Sequence, residues 1–484
     1  MKRFLSVLLL AVCTSSMISC GRFFDDIGYA FRKKKIDPND PTTIPGGPNP
    51  PVTTPASTEY LENEFVKVGF NMNYGGSITY FSPAGSNVNM VNNFDLGRQF
   101  QYAYYSYPVE NYTPNGVKPH PSWTTIGWDP VQTGDAYGNP SQVVSRSRSG
   151  NRVVFKTIPK QWGYYNVPCD CSVETTAELN GKALEIKHVL QLARTDTYDH
   201  VPRGQELAVA FMNSSFTKVK AYFGGEPFTD GPLVDFAIKT PPFARQDGSV
   251  EMYLPESWLY LHNDAGVGLG MWVPQSTTFS TYFLGTPNAG DEFSGNSGVF
   301  NSGEMEILDP KMRFETKMSY ILGTVDEVRQ YAQEHEKDRT QPEFDFSTDR
   351  QHWVYYESLD DGQYPFQGEW FLKFDSKITP LWGPSVAWDA SKIKKMYLRA
   401  AYQGDPQQLR FIWHRQSSPQ PYDNYESLSL LIDLIPDGQY HTYEIDLSKQ
   451  EGWRGNIRRL MIDPGNTPKT GKWLKLKSLT TTQP

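Results

Sequence analysis

Three side chains are placed to move protons. Glu206, in PRGQELAVAF, stands where polar sequence enters an apolar strand, and a carboxylate at the mouth of a strand is a candidate general base. Asp135, in QTGDAYGNP, and His188, in LEIKHVLQL, complete the candidate acid and base set, with His120 and His200 as further histidines. Each has a plainer reading. Glu206 could pair with Arg203, and His188 alternates with Ile186 and Leu190 on one strand face, which also suits a packed or surface histidine. Glycoside hydrolysis needs two carboxylates roughly 5 to 10 Å apart, a spacing that sequence does not report. Metalloprotease and serine-hydrolase chemistry lack their motifs, since neither H-E-x-x-H nor G-x-S-x-G occurs.

A second group of residues suits holding a ligand. NNFDLGRQFQYAYYSYPVENYTPNG, residues 92–116, sets Arg98 and Gln101 among tyrosines and phenylalanines. It is followed at 119–144 by PHPSWTTIGWDPVQTGDAYGNPSQVV, an aromatic stretch with little strand character, and loops of that length inside a compact domain are usually functional. Arg98, Gln101, Asp129 and Asp135 would supply directional hydrogen bonds, while Tyr104, Tyr105, Trp123 and Trp128 would form a stacking floor.

The elements that must position these groups read as β-strands. Runs such as FVKVGFN, RVVFKTI, CSVETTAEL and MRFETKMSYIL are separated by the turn signals NYGG, RSGN, LNGK and NDAG. The expected fold is all-β: a large two-sheet sandwich over 59–323, a linking helix within 324–341, and a second β-rich unit over 342–484. Thr324 and Glu327 make a capping box, and Val325, Val328, Tyr331 and Ala332 repeat at helical spacing. The second unit carries seven of the twelve tryptophans. Trp370, Trp382, Trp388 and Trp413 lie close to Pro, Gly or charge and are its ligand candidates, against a core-packing alternative. Flat rings stack on sugar C–H faces while neighbouring polar side chains bond the hydroxyls.

Two stretches carry resemblances. DGQYHTYEIDLSKQEGWRGNIRRLMIDPG, residues 437–465, resembles the closing strands of jelly-roll, galactose-binding-like modules of secreted carbohydrate-active proteins. That likeness implies a C-terminal β-jelly-roll in which Trp453 and Asp463 are structural. Asp95, Gly97, Arg98 and Gln101, then Gly134, Asp135 and Gly138, with VPCDC and QEL later, resemble secreted proteins of carbohydrate-degrading bacteria with a galactose-mutarotase-like supersandwich. A sandwich of this kind serves lyases, hydrolases, epimerases and binders alike. No histidine here matches the epimerase motifs.

The N-terminus reads as an address. Lys2 and Arg3 precede an apolar run from Phe4 to Val12, far short of the roughly 20 residues of a membrane span, so residues 1–19 read as a signal peptide. Met17-Ile18-Ser19-Cys20 resembles a bacterial lipobox, which implies a lipid on Cys20 and an anchored envelope protein at the outer membrane or cell surface. Residues 20–58, rich in Pro and Thr, read as a spacer. The formal charge of -8, with the one basic run at Arg32 to Lys35, argues against a nucleic-acid partner.

Cys169 and Cys171 in NVPCDCSVE would share a strand face and form a local disulfide, stay as two thiols or chelate a metal, though no second ligand pair sits at zinc spacing. No cofactor is called for, and a structural Ca²⁺ would need convergent oxygens that sequence does not locate. The expected function is binding of polysaccharide or oligosaccharide, with a glycan-processing enzyme (hydrolase, lyase or epimerase-like) as the alternative. Oligomeric state is not legible.

Overall fold

A computed structural model describes residues 57–484 apart from 197–199, 239–249, 358, 361, 363, 417–424 and 466. The expected signal peptide, the expected lipidation site Cys20 and nearly all of the expected spacer lie outside the described residues. Among those described, no helix is long and apolar enough to cross a membrane.

The chain is all-β, and its strands alternate as their period demands. In Cys171–Asn180, residues 171, 173, 175, 177 and 179 are buried and the others face outward. Two antiparallel sheets pack their apolar faces together. The first, of ten strands, runs Thr58–Glu62, Val66–Asn71, Ser77–Pro83, Phe100–Ala103, Glu206–Met212, Ser297–Ser302, Thr278–Leu284, Val250–Tyr253, with the short strands Pro130–Val131 and Lys160–Gln161 attached. The second, of nine, runs Val234–Ala237, Lys218–Ala221, Trp258–His262, Gly268–Trp272, Arg313–Leu322, Ala183–Leu192, Cys171–Asn180, Arg152–Ile158, Gln142–Ser149. Phe81, Phe100, Ala210, Phe300, Ile186 and Tyr320 meet between them. Each fully buried large apolar side chain there contributes about 1.5–3 kcal/mol.

Helix Val325–Glu334 begins at the capping box of Thr324 and Glu327 and lays Val328 and Ala332 on the nine-stranded sheet. Gly270 allows the approach, because a Cβ there would stand 2.4 Å from Val328. Two five-stranded sheets follow. One runs Phe344–Asp345, Trp473–Thr480, Lys395–Gln403, Tyr440–Asp446, with Trp370–Lys373 also paired to Trp473–Thr480. The other runs Leu381–Trp382, Asn456–Asp463, Gln407–Gln416, Tyr425–Leu434, with Trp388–Asp389 also paired to Asn456–Asp463.

The core of this second sandwich takes in Met305 and Ile307 from before the helix, so the two units share a buried seam. Asp309 reaches across to Arg350, whose guanidinium also holds Asp360 at 2.6 Å, and the Trp370 indole donates to that same carboxylate at 2.8 Å. The Tyr253 hydroxyl donates to the Val386 carbonyl at 2.7 Å, and the Arg458 guanidinium lies 3.8 Å from the Tyr253 ring centroid.

Candidate functional site

The outward face of the ten-stranded sheet carries several of the candidate residues together with half-buried rings. A bulge between Glu206 and Val209 turns Glu206 out of the apolar alternation that buries Ala208, Ala210 and Met212 in the core. Val209, Phe211 and Val299 floor one part of this face, with Tyr282 and Leu284 half-buried beside them. Ala103, Tyr105 and Val131 floor the next part, walled by Ile126 and Trp162. Gly97 lets the Trp162 ring close in, since a Cβ there would meet its indole at 2.7 Å.

The charged groups stand around these rings. The Arg203 guanidinium lies 5.5 Å from the Tyr105 ring centroid while donating to the Ile126 carbonyl at 2.7 Å, which ties the aromatic loop to the sheet. The Gln205 side chain pairs with the Tyr105 backbone in both directions, at 2.8 and 2.9 Å. Burial holds the Tyr105 phenol well above its ordinary value, and the neighbouring Asp129, Glu206 and Tyr282 add to the rise. The Tyr282 phenol is raised by burial and by Glu206, against the opposing field of Arg98. Arg98 lies 4.6 Å from the Phe94 centroid and donates to the Gly295 carbonyl.

At one end the face narrows into a cleft of about 20 Å³, room for about one water molecule, lined by Glu206, Glu251, Ser280, Asn301 and Glu304 among others. Glu304 receives a hydrogen bond from the Ser276 hydroxyl at 3.0 Å and faces Arg459 of the second sandwich at 3.7 Å. Burial nevertheless pushes its carboxyl up to about 7, so near neutrality it exists in both forms. Glu206 and Glu304 therefore both line this narrow cleft, and Glu304 is the carboxyl there that burial raises. Among the described residues, no group of three His, Cys, Asp or Glu side chains converges where a cation could sit.

The sequence-derived candidates divide. Arg98 stands half-buried at this face, Glu206 lines its cleft, Tyr105 and Asp129 are buried, and Trp123 packs edge-on against Trp162 at 6.0 Å. Others are drawn inside. His188 is 4% exposed, with Nδ1 2.9 Å from the Thr175 hydroxyl and its ring edge-on to Tyr102; burial lowers it to about 3, which keeps it neutral. Asp135 accepts from the backbone N–H groups of Tyr137, Asn139 and Asn166, so its oxygens organise loops and face no cleft. Gln101 is buried and accepts from the Thr133 hydroxyl at 2.6 Å.

The expected stacking floor is corrected in part. Tyr104 and Trp128 are fully buried; the Trp128 indole donates to Asp170 at 2.9 Å, and Arg194 covers its face at 4.9 Å. Cys169 and Cys171, on either side of Asp170, form a disulfide. In the second sandwich Trp370, Trp382, Trp388 and Trp413 are all buried, with the indoles of Trp388 and Trp413 bonded to the carbonyls of Thr340 and Gly452. Their faces are covered by protein and present nothing to a sugar.

Sequence reading passed over Trp162, Tyr282 and Glu304. Tyr282 shares the outward parity of Ser280 in TFSTYFL, a signal that exists but does not say which face is open. The structure also aligns Ser106, His200 and Asp196, at 3.2 and 2.9 Å, in the order of an acyl-transfer triad. Ser106 and His200 are each 2% exposed and the serine hydroxyl donates to the Leu308 carbonyl, so this chain of bonds is internal framework.

No family model and no curated relative matches the chain. Solved structures with a similar course of chain include a protein of Synechocystis sp. PCC 6803, at 11% identity and a TM-score of 0.35, over 58% of this chain and 98% of that one. A galactose mutarotase related enzyme from Lactobacillus acidophilus matches at 15% identity and a TM-score of 0.32, over 55% and 97%. A galactose mutarotase-like protein from Lactobacillus casei matches at 12% identity and a TM-score of 0.35, over 55% and 100%.

Proposed function

We propose that this chain is a lipid-anchored protein of the cell envelope that binds oligosaccharide or polysaccharide on the outward face of its ten-stranded sheet. The observation that carries the reading is the mixture on that face. The rings of Trp162 and Tyr282 can lie against the apolar faces of sugar rings, while Arg98, Arg203 and Glu206 can bond hydroxyls around them. The anchor rests on the lipobox-like MISC, and its test is metabolic labelling with an alkyne fatty acid, which Cys20→Ser should abolish.

Incubation of the full chain with plant, algal and host polysaccharides, scored for retardation in affinity gels and for new reducing or unsaturated ends, tests the function. Retardation that Tyr282→Ala weakens about tenfold, or about 1.4 kcal/mol, supports the binder. Neither signal with any polymer would refute a carbohydrate role for this face.

A second reading, an enzyme, is favoured by one observation: Glu304, pushed up to about 7, shares the cleft with Glu206. Glu304 would then donate a proton and Glu206 act as base or nucleophile. New ends that disappear in Glu304→Gln, with affinity kept, would establish it.

A further inference from the structure

The second sandwich has one outward face with a composition unlike the rest of this acidic chain. Its seven tryptophans are buried with a single exception among the described residues, Trp473. Trp473 lies on Trp473–Thr480, between Trp370–Lys373 and Lys395–Gln403. Side chains alternate there: Leu474 and Leu476 enter the core, and Trp473 and Lys475 point away from it. On the adjoining strand Phe371 is paired with Lys475 and Lys373 with Trp473. Phe371 and Trp473 meet edge-on at 5.9 Å, and the Lys475 ammonium lies 5.2 and 5.4 Å from their centroids.

On the other side, Ala401 separates Lys475 from Tyr440 in one row across the sheet. Ala401 itself is buried, and Glu369 bonds both Lys475 at 2.5 Å and the Tyr440 hydroxyl. Arg399 stands 5.6 Å from the Tyr440 centroid, and the Lys477 ammonium donates to the Gly368 carbonyl at 2.6 Å. Cations thus outnumber carboxylates around these rings. Glu444, further along the edge strand, is already matched by Lys395 at 2.8 Å.

We propose that this face is a second glycan site, distinct from the cleft of the first sandwich, and that it takes an acidic chain bearing uronate carboxylates. Trp473, Phe371 and Tyr440 supply flat apolar surface at intervals along the sheet, and Lys373, Lys475 and Arg399 lie between them where the carboxylates of a polymer draped over the rings would fall. Against a formal charge of -8 for the whole chain, a local excess of cations also sets the direction of approach. The inference does not depend on the function of the first cleft.

Calorimetric titration of the full chain with polygalacturonate, with a neutral galactan and with a single-stranded DNA of similar charge density tests it. Polygalacturonate should bind at least tenfold more tightly than either comparator, and the affinity should fall as salt is raised. Trp473→Ala, and separately the pair Lys373→Gln with Lys475→Gln, should each weaken it about tenfold or more, with thermal midpoints recorded to confirm folding. Thr324→Ala, at the helix cap and outside both faces, should leave it unchanged. Absence of polygalacturonate binding, binding that survives Trp473→Ala in a folded protein, or equal binding of DNA would each overturn the assignment.

Discussion

Two buried histidines, His188 and His414, carry the clearest consequence of burial at the scale of single residues. Burial lowers both His188 and His414 to about 3, with Arg459 and Arg458 adding to the effect at His414. An unfolded histidine titrates near 6.5. At these two positions the unfolded chain therefore binds more protons than the folded one between about pH 6.5 and pH 3, and their contribution to stability falls as pH falls through that window. The slope is about 1.4 kcal/mol per pH unit for each fully neutralised histidine. Urea midpoints taken at about pH 7 and pH 5 should separate strongly in the native protein and less in His188→Gln. Equal separation in the two would mean that His188 is charged inside the fold. His188 was readable as an ambiguous residue because strand alternation fixes its row, and only the facing Thr175 and Tyr102 decide that the row is interior.

Loops and caps set the geometry of the first sandwich at the scale of elements. Asp135 satisfies N–H groups on both its own turn and the segment at Asn166, so Asp135→Ala should release two loops together. The expected outcome is faster limited proteolysis between residues 119 and 167 with little loss of secondary structure by circular dichroism. Thr324→Ala should cost about 1 kcal/mol through loss of the helix cap. The helix was legible from a capping box and an apolar stripe because both signals are local. Strand signals were legible for the same reason. The aromatic loop over 119–144 was recognisable as special by its rings and length, but which rings it buries depends on Arg203 pinning it to the sheet, a contact made across 77 residues.

The shared seam governs how the two sandwiches behave at the scale of the whole molecule. Arg350 sits 4% exposed between Asp309 and Asp360, and removing it leaves two buried carboxylates without their cation. Arg350→Met should cost about 3–5 kcal/mol, read as a lower urea midpoint, and Asp309→Asn with Asp360→Asn added to it should recover part of that loss. The same seam brings Arg459 to Glu304, so the second sandwich contributes charge to the cleft of the first. The sequence by itself determined the all-β class, the helix and its cap, and the density of rings and carboxylates available for a sugar, because periodicity, capping and composition are properties of neighbours in the chain. Tertiary structure decided which rings remain available. Trp370, Trp382, Trp388 and Trp413 are consumed by the core, while Trp162, Tyr282 and Trp473 are left partly open. The physical reason is that a strand presents two faces of equal spacing, and only long-range sheet packing settles which of them meets water.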